Sequence, residues 1–491
     1  MRLLASDIIT FCRPEPCGRR FLLQRKGIPA AEPSDYDQVL ARLGDRHEQE
    51  HLKTLGRSLD LSAFRDEELL VATKGALQHK TQVIYQGAFQ VVTTIQGQSV
   101  TIFGKPDFLI FEDGGYVIRD AKLSRKIDDE HHVEIACQLQ LYGWLYEKTT
   151  GVPPKRLEVH NGMGEISPVP YDGGTAALTV LAEVFRWKNV DDPPYVPVGW
   201  TKCNGCSYGD YCIEEATAAK DVAILPEVDQ NLARALHDRG VADYPTLRKK
   251  FDVASLSEFK RPWGQSTQKV GKRAEKILVY AEVMESGQER VLAPPAIPDF
   301  PNFVMFDLEG LPPQQNDLEK IYLWGLQVYG QQPSEFIAAI ADFGTNGDQA
   351  GWEAFLTASE GIFAQHGDIP FVHWAPYEKT NVNRYITRFG DPKGIAARVL
   401  KNLLDLLPIT KASIALPIPS YGLKVIEKYV GFERTTEKVG GDWAIAAYIE
   451  ATETNDAAKR NELMAAIKQY NKEDLAATWA VFEWLRGKMW I

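Results

Sequence analysis

Asp107 lies thirteen positions before Asp120, and Asp120 stands two before Lys122 in Ile118-Arg119-Asp120-Ala121-Lys122. On a β-strand, residues i and i+2 share a face, so Asp120 and Lys122 should point the same way. With Asp107 closing a neighbouring strand, two carboxylates could hold a divalent cation. The lysine would then steady an attacking water or the charge developing on phosphorus. That is the minimum equipment for metal-assisted phosphodiester hydrolysis. Taken singly, an Asp-x-Lys also arises by chance on surface strands.

A second acidic set follows much later. Phe303-Val304-Met305-Phe306-Asp307-Leu308-Glu309-Gly310 reads as a buried strand with Asp307 and Glu309 on one face. Near the end of the chain, Tyr470 and Asp474 are four apart on a long amphipathic helix and so share a face. Between them, Phe371-Val372-His373-Trp374-Ala375-Pro376-Tyr377-Glu378 reads as a strand leading into a helix with Pro376 near its first position. Glu378 is the candidate acid there, and Asp405 in Leu403-Leu404-Asp405-Leu406 is its rival.

Three of the six cysteines fall in Cys203-Asn-Gly-Cys206-Ser-Tyr-Gly-Asp-Tyr-Cys212, a run that offers three thiolates to one centre and needs a distant fourth. Cys17 and Cys12 are the candidates for that place, while Cys137 sits on the apolar face of a helix as a small hydrophobe. Four thiolates suit an iron–sulfur cubane or a structural zinc; the one-plus-three division favours the cluster, and a metal-free cysteine set is the third reading. Disulfides are not expected, since nothing in the sequence signals secretion.

The elements that must position these groups are legible from apolar spacing. Residues 35–56 read as a helix carrying Gly44-Asp45-Arg46-His47-Glu48, where a neutral imidazole could add a ligand. Residues 130–150 read as another, with Gln138 and Tyr142 on one face. Residues 321–329 and 335–340 read as strands beside the Asp307 strand.

The order Gly-x-x-His, Gly-x-x-Asp, Asp-x-Lys, Gln-x-x-x-Tyr resembles the RecB-type branch of the PD-(D/E)xK nucleases. The resemblance implies His47, Asp107 and Asp120 as metal ligands and Lys122 as catalytic base or electrostatic stabiliser. It also implies that Gln138 and Tyr142 position a DNA strand. Cys17-Gly-Arg-Arg-Phe-Leu-Leu is similar to the N-terminal cysteine segment of the iron–sulfur members, which implies a 4Fe–4S cluster on Cys17, Cys203, Cys206 and Cys212. Over about residues 300–491, Asp-x-Glu followed by Tyr-x-x-x-Asp resembles the tyrosine variant of the DEDD exonucleases of the ribonuclease H-like superfamily. That resemblance implies two cations, Mg²⁺ or Mn²⁺, on Asp307, Glu309, Glu378 and Asp474, with Tyr470 orienting the attacking water. Glu378 departs from the usual Asp of that pattern.

The expected fold is α/β throughout: a PD-(D/E)xK restriction-endonuclease-like domain over 1–220, a small helical segment over 221–292 and a ribonuclease H-like domain over 296–491. In the middle segment, helices are expected at 229–239, 244–251 and 270–284. Leu225-Pro226-Glu227-Val228 leading to Leu236 and Gly240 is similar to a helix-hairpin-helix repeat without its hairpin glycines. Lys260, Arg261, Lys269, Lys272, Arg273 and Lys276 could follow a phosphate backbone or simply form a solvated helical face. Ala293-Pro294-Pro295-Ala296-Ile297-Pro298 reads as a stiff linker.

Hydrophobic residues at 44% and charged residues at 25% permit sizeable cores, and no uninterrupted apolar run is long enough to span a membrane. An acid as early as Asp7 argues against a signal peptide, so a cytoplasmic location is expected. The net charge of −11 excludes a generally sticky nucleic-acid coat but not a nuclease, whose metals need carboxylates. The expected activity is exonucleolytic hydrolysis of nucleic acid at two separate sites, with DNA favoured over RNA and single-stranded ends as substrate. A non-catalytic or partly vestigial binding and assembly subunit is the alternative. No Walker A sequence is present, so strand separation would fall to a helicase or other repair or defence partner.

Overall fold

The computed structural model describes residues 1–128, 130–312, 319–344, 346–436 and 440–489. Two compact units emerge: the first holds Met1–Pro33 and Asp37–Glu215, and the second begins at Ala216 and contains the C-terminal helix.

The first unit is built on a six-stranded sheet in the order β1 (Leu59–Asp60), β2 (Val83–Tyr85), β3 (Phe108–Glu112), β4 (Gly115–Ala121), β5 (Arg156–His160) and β6 (Ile166–Val169). β1 and β2 run parallel, as do β4 and β5; the other neighbours are antiparallel. Side-chain alternation divides this sheet cleanly. Ile84, Leu109, Ile118 and Leu157 enter the main core with Leu139, Tyr142 and Leu145 of helix α2 (Val133–Thr150). Tyr85, Phe108, Ile110 and Val117 face the other way, with Leu52 of helix α1 (Asp35–Thr54) and Leu55 just beyond it. Asp120 shares the parity of Ile118, and Arg119 that of Val117. Helix α2 starts three residues later than the apolar spacing suggested, because His132 takes a left-handed conformation (φ 59°) at its N-cap. A second sheet of Arg2–Leu4, Gln98–Gly104 and Phe89–Ile95 completes the unit.

The second unit carries a five-stranded sheet in the order β9-β8-β7-β10-β11, from β7 (Asn302–Leu311), β8 (Lys320–Gly330), β9 (Ile337–Ile340), β10 (Phe371–His373) and β11 (Leu403–Asp405). Strands β9, β8 and β7 are antiparallel, and β10 and β11 continue from β7 in parallel. Val304, Phe306 and Leu308 point into a core with Trp324, Trp352, Phe355 and Tyr385. Phe303 and Met305 point to the opposite face, against Leu475, Phe482 and Leu485 of the thirty-residue helix α5 (Ala457–Arg486). Asp307 and Glu309 share the parity of Phe303 and Met305, so this alternation aims them at the helix carrying Asp474.

The middle segment belongs to this second unit. Its helices are Gln230–His237, Tyr244–Lys250, Val253–Glu258 and Arg273–Ser286, three of them capped by Asp229, Asp243 and Asp252. Arg290–Val291 pairs with Ile414–Ala415, and Tyr280 packs edge-on against Tyr421. The basic run is not one helical strip. Lys260–Trp263 and Ser266–Lys269 form a β-hairpin, Arg261 and Arg273 both pair with Asp229, and Lys269 pairs with Glu258. Among the described residues, no helix is long and apolar enough to cross a membrane.

Candidate active sites and a cysteine cluster

Asp107 lies in the bend just before β3 rather than closing the preceding strand. Phe108 pairs with Arg119 across the β3–β4 ladder, which sets Asp107 beside Asp120. The two acids lock reciprocally: the Asp107 N–H donates to Asp120 Oδ1 at 3.0 Å, and the Ala121 N–H donates to Asp107 Oδ2 at 2.9 Å. Lys122 Nζ lies 2.8 Å from Asp120 Oδ2 and 3.8 Å from Asp107 Oδ2. Burial, then the Asp120 charge, pushes the Asp107 carboxyl well above the usual carboxylate range, against the pull of Lys122. Burial opposes the charge on Lys122, but Asp120 and Asp107 more than offset it and hold its pKa above the ordinary lysine value. A lysine held charged in this way can stabilise negative charge that develops nearby.

Tyr142 adjoins this pair. Burial foremost, then Asp120, Asp107 and Glu48, keep its phenol neutral. Its ring packs over Gly104, where a Cβ would fall 2.9 Å from Tyr142 Cδ1 and 2.6 Å from Leu145 Cδ1. Gln138, one turn earlier, is also buried.

His47 meets the acid-bearing strand at the His160 carbonyl, which also accepts the Lys122 N–H at 2.9 Å. Its Nε2 lies 3.2 Å from the His160 carbonyl, and its ring stacks on that of His160 at 4.5 Å. His51 stacks on the same His160 ring at 3.8 Å, and its Nε2 lies 3.2 Å from Arg119 Nη1. Glu48, one residue on, is linked to the carboxylates by Gln86, whose Nε2 donates to Glu48 Oε1 at 2.5 Å and lies 3.3 Å from Asp107 Oδ1. Sequence reasoning passed over Glu48, although it adjoins the histidine that was chosen.

In the second unit, Asp307, Glu309 and Asp474 bring ligand oxygens within 4.8 Å of one another. Among the described residues this is the one group of three or more His, Cys, Asp or Glu donors so close together. Burial, then Asp474, pushes Glu309 up to about 8, and burial followed by Asp474, Glu309 and Glu378 raises Asp307 well above its ordinary value. Three like charges in a dry site call for a cation. Asn471 Nδ2 donates to Asp307 Oδ2 at 2.7 Å and approaches Glu309 Oε1 at 3.3 Å. The sequence reading overlooked Asn471, which sits inside the Tyr-x-x-x-Asp spacing itself.

Asp474 also meets two cations absent from the sequence reading. Lys424 Nζ and Arg434 Nη2 both bind its Oδ1, the latter at 2.5 Å. Arg434 is gripped by Glu427 through Nε (2.8 Å) and Nη2 (2.7 Å). Tyr470 lies under this pair, with Lys424 Nζ 4.7 Å from its ring centre. Burial and the neighbouring acids hold its hydroxyl protonated, far above the usual tyrosine range.

Glu378 is buried near Asp307 but is not one of the three clustered donors; its Oε2 lies 3.1 Å from His373 Nδ1. Asp405 is occupied otherwise. Its Oδ1 accepts the N–H groups of Ala375 and Leu407, each at 3.0 Å, and so caps the helix Leu406–Ser413.

Cys17, Cys203, Cys206 and Cys212 line one pocket with Arg19, Arg20 and Lys202. Burial foremost raises the Cys203 and Cys212 thiols, the latter to about 11, and each also senses Cys17 and Cys206. Cys12 instead adjoins Cys137. Four thiol sulfurs beside three cations are a donor set that could hold an iron–sulfur cluster or a zinc ion.

Residues 19–213 match the family model of the PD-(D/E)XK nuclease superfamily, and residues 304–486 match that of the RNase H superfamily. The chain is thus mixed α/β, with a PD-(D/E)XK domain at the N-terminus and an RNase H-like domain at the C-terminus. No curated protein matches it. The structure titled "Crystal structure of SSO0001" is similar at 15% identity over 43% of this chain and 85% of its own, with a TM-score of 0.24.

Proposed function

We propose that this chain is a divalent-metal-dependent nuclease of the RecB type, hydrolysing phosphodiester bonds at ends of single-stranded DNA from two separate sites. The observation that carries the reading is the convergence of Asp307, Glu309 and Asp474 beneath a protonated tyrosine in an RNase H-like fold. A divalent cation bound there would supply charge neutralisation and an activated water. The residues do the rest: Asn471 holds Asp307 in place, and the Tyr470 hydroxyl can orient a water without losing its proton. In the first unit, Asp107 and Asp120 would hold the cation, and Lys122 would stabilise charge on the attacked phosphate. Cys17, Cys203, Cys206 and Cys212 would hold a 4Fe–4S cluster in a structural role.

The test is cleavage of 5′- and 3′-labelled single-stranded DNA and RNA with Mg²⁺ or Mn²⁺ by anaerobically prepared protein. Asp120→Asn and Asp474→Asn should each remove one component of the activity, and together all of it. Protein that cleaves neither nucleic acid with either cation would be a binding or assembly subunit.

A further inference from the structure

The two-ion pattern implied by the DEDD resemblance needs a second ligand set, and the structure diverts its members. Glu378, the candidate fourth acid, is turned to His373 at 3.1 Å and lies outside the three clustered donors. Asp405, its rival, spends Oδ1 on two backbone N–H groups. Asp474 has one oxygen already neutralised twice, because Lys424 and Arg434 both bind Oδ1. Arg434 cannot easily withdraw: its side chain is 6% exposed, and Glu427, 2% exposed, holds it by two hydrogen bonds. A buried guanidinium fixed in this way would repel any second divalent ion sharing Asp474.

We propose that the C-terminal site holds a single divalent ion on Asp307, Glu309 and the free oxygen of Asp474, with Lys424 and Arg434 supplying the positive charge that a second ion would otherwise bring. The proposal rests on the nuclease reading of this site. In the hydrolysis, the water oxygen bonds to phosphorus as the bond from phosphorus to the sugar oxygen breaks, and that oxygen leaves with the proton the water gives up. Lys424, 36% exposed at the mouth of the cluster, is the cation free to follow charge onto the phosphate and leaving oxygen. Arg434 is a positioning residue that keeps Asp474 oriented.

The experiment counts ions by Mn²⁺ titration and electron paramagnetic resonance on the full chain. Asp120→Asn protein is compared with Asp120→Asn/Asp307→Asn protein, so that the difference counts ions at the second site alone. One ion, magnetically isolated, is expected. A difference of two, or the coupled spectrum of a Mn²⁺ pair roughly 3.5–4 Å apart, overturns the proposal. Lys424→Gln, at a partly exposed position, should then bind Mn²⁺ several-fold more tightly, having lost a competing cation, yet cleave about 10²-fold more slowly. Unchanged affinity with unchanged rate also overturns it. A chain that binds one such ion but cuts no oligonucleotide sinks the nuclease reading and leaves the single-ion assignment standing. No difference between the two variants defeats both.

Discussion

Asn471 stands directly over Gly325: a Cβ built on the glycine would fall 1.8 Å from Asn471 Oδ1. Gly325 is also the residue that pairs with Asp307 across the β7–β8 ladder. A missing side chain on one strand thus makes room for the amide that holds the acid on the next.

Gly325→Ala should therefore push Asn471 off Asp307 and disorganise the cluster. Overpacking of this kind costs about 1–3 kcal/mol, which leaves a domain of this size folded. Mn²⁺ affinity at the C-terminal site should fall at least tenfold while the first site keeps its activity. Wild-type affinity in Gly325→Ala would show that Asn471 has no part in holding the acids.

Glu309 sets a pH dependence. Its folded-state pKa of about 8 lies above its ordinary value of 4.5, so the folded chain binds a proton that the unfolded chain releases. The associated stability is complete below about pH 4.5 and is lost as pH rises through 8. Asp307, raised for the same reasons, acts in the same direction. Metal-free protein should melt at progressively lower temperature between pH 5 and 8.5, and Mn²⁺ should restore stability most at the alkaline end with release of protons. A melting temperature that rises over this range in chelator would contradict the assignment.

Lys122→Ala removes the charge beside Asp120 but leaves both carboxylates. Cleavage by the first site should fall by about 10²–10³ while metal still binds. Because Lys122 is held charged, the pH–rate profile of the wild type should show no lysine acting as a base near neutrality. Full activity in Lys122→Ala, measured in an Asp474→Asn background, would remove Lys122 from the chemistry.

Cys203→Ser should bleach a brown protein and lower its content of iron and sulfide. Cys12→Ser should do neither, since Cys12 lies with Cys137. Stoichiometric zinc in colourless, anaerobically prepared wild type would replace the cluster with a zinc site.

Asp405→Ala should cost about 1–2 kcal/mol through its lost helix cap and leave the Mn²⁺ count unchanged. A lost ion at native stability would make Asp405 a ligand after all.

Much of this was legible before the fold was known. Period-two alternation alone puts Asp307 with Glu309 and Asp120 with Lys122, because strand geometry fixes those faces locally. The part of Glu48 was not legible, since adjacent helical residues differ by about 100° in direction and only the sheet contact shows that Gln86 links Glu48 to Asp107. Asn471 was obscured because the four-residue spacing draws attention to its ends. Lys424 and Arg434 carry no local signal; only tertiary packing places them against Asp474. The capping role of Asp405 was not legible, because a carboxylate ending a strand as a ligand and one capping the following helix have the same sequence appearance.

Cys17 lies near the start of the first unit, and Cys203, Cys206 and Cys212 lie near its end. A metal centre bound by all four in their shared pocket would close nearly the whole unit into a ring of chain. The entropy removed from the unfolded ensemble by such a closure grows with the logarithm of the loop, so this placement extracts more than any pair of neighbouring cysteines could. The same fastening would block fraying from either end. Oxidative damage at the pocket should accordingly register first as a faster rate of global unfolding, with the distant carboxylates of β3 and β4 lost only as the sheet itself comes apart.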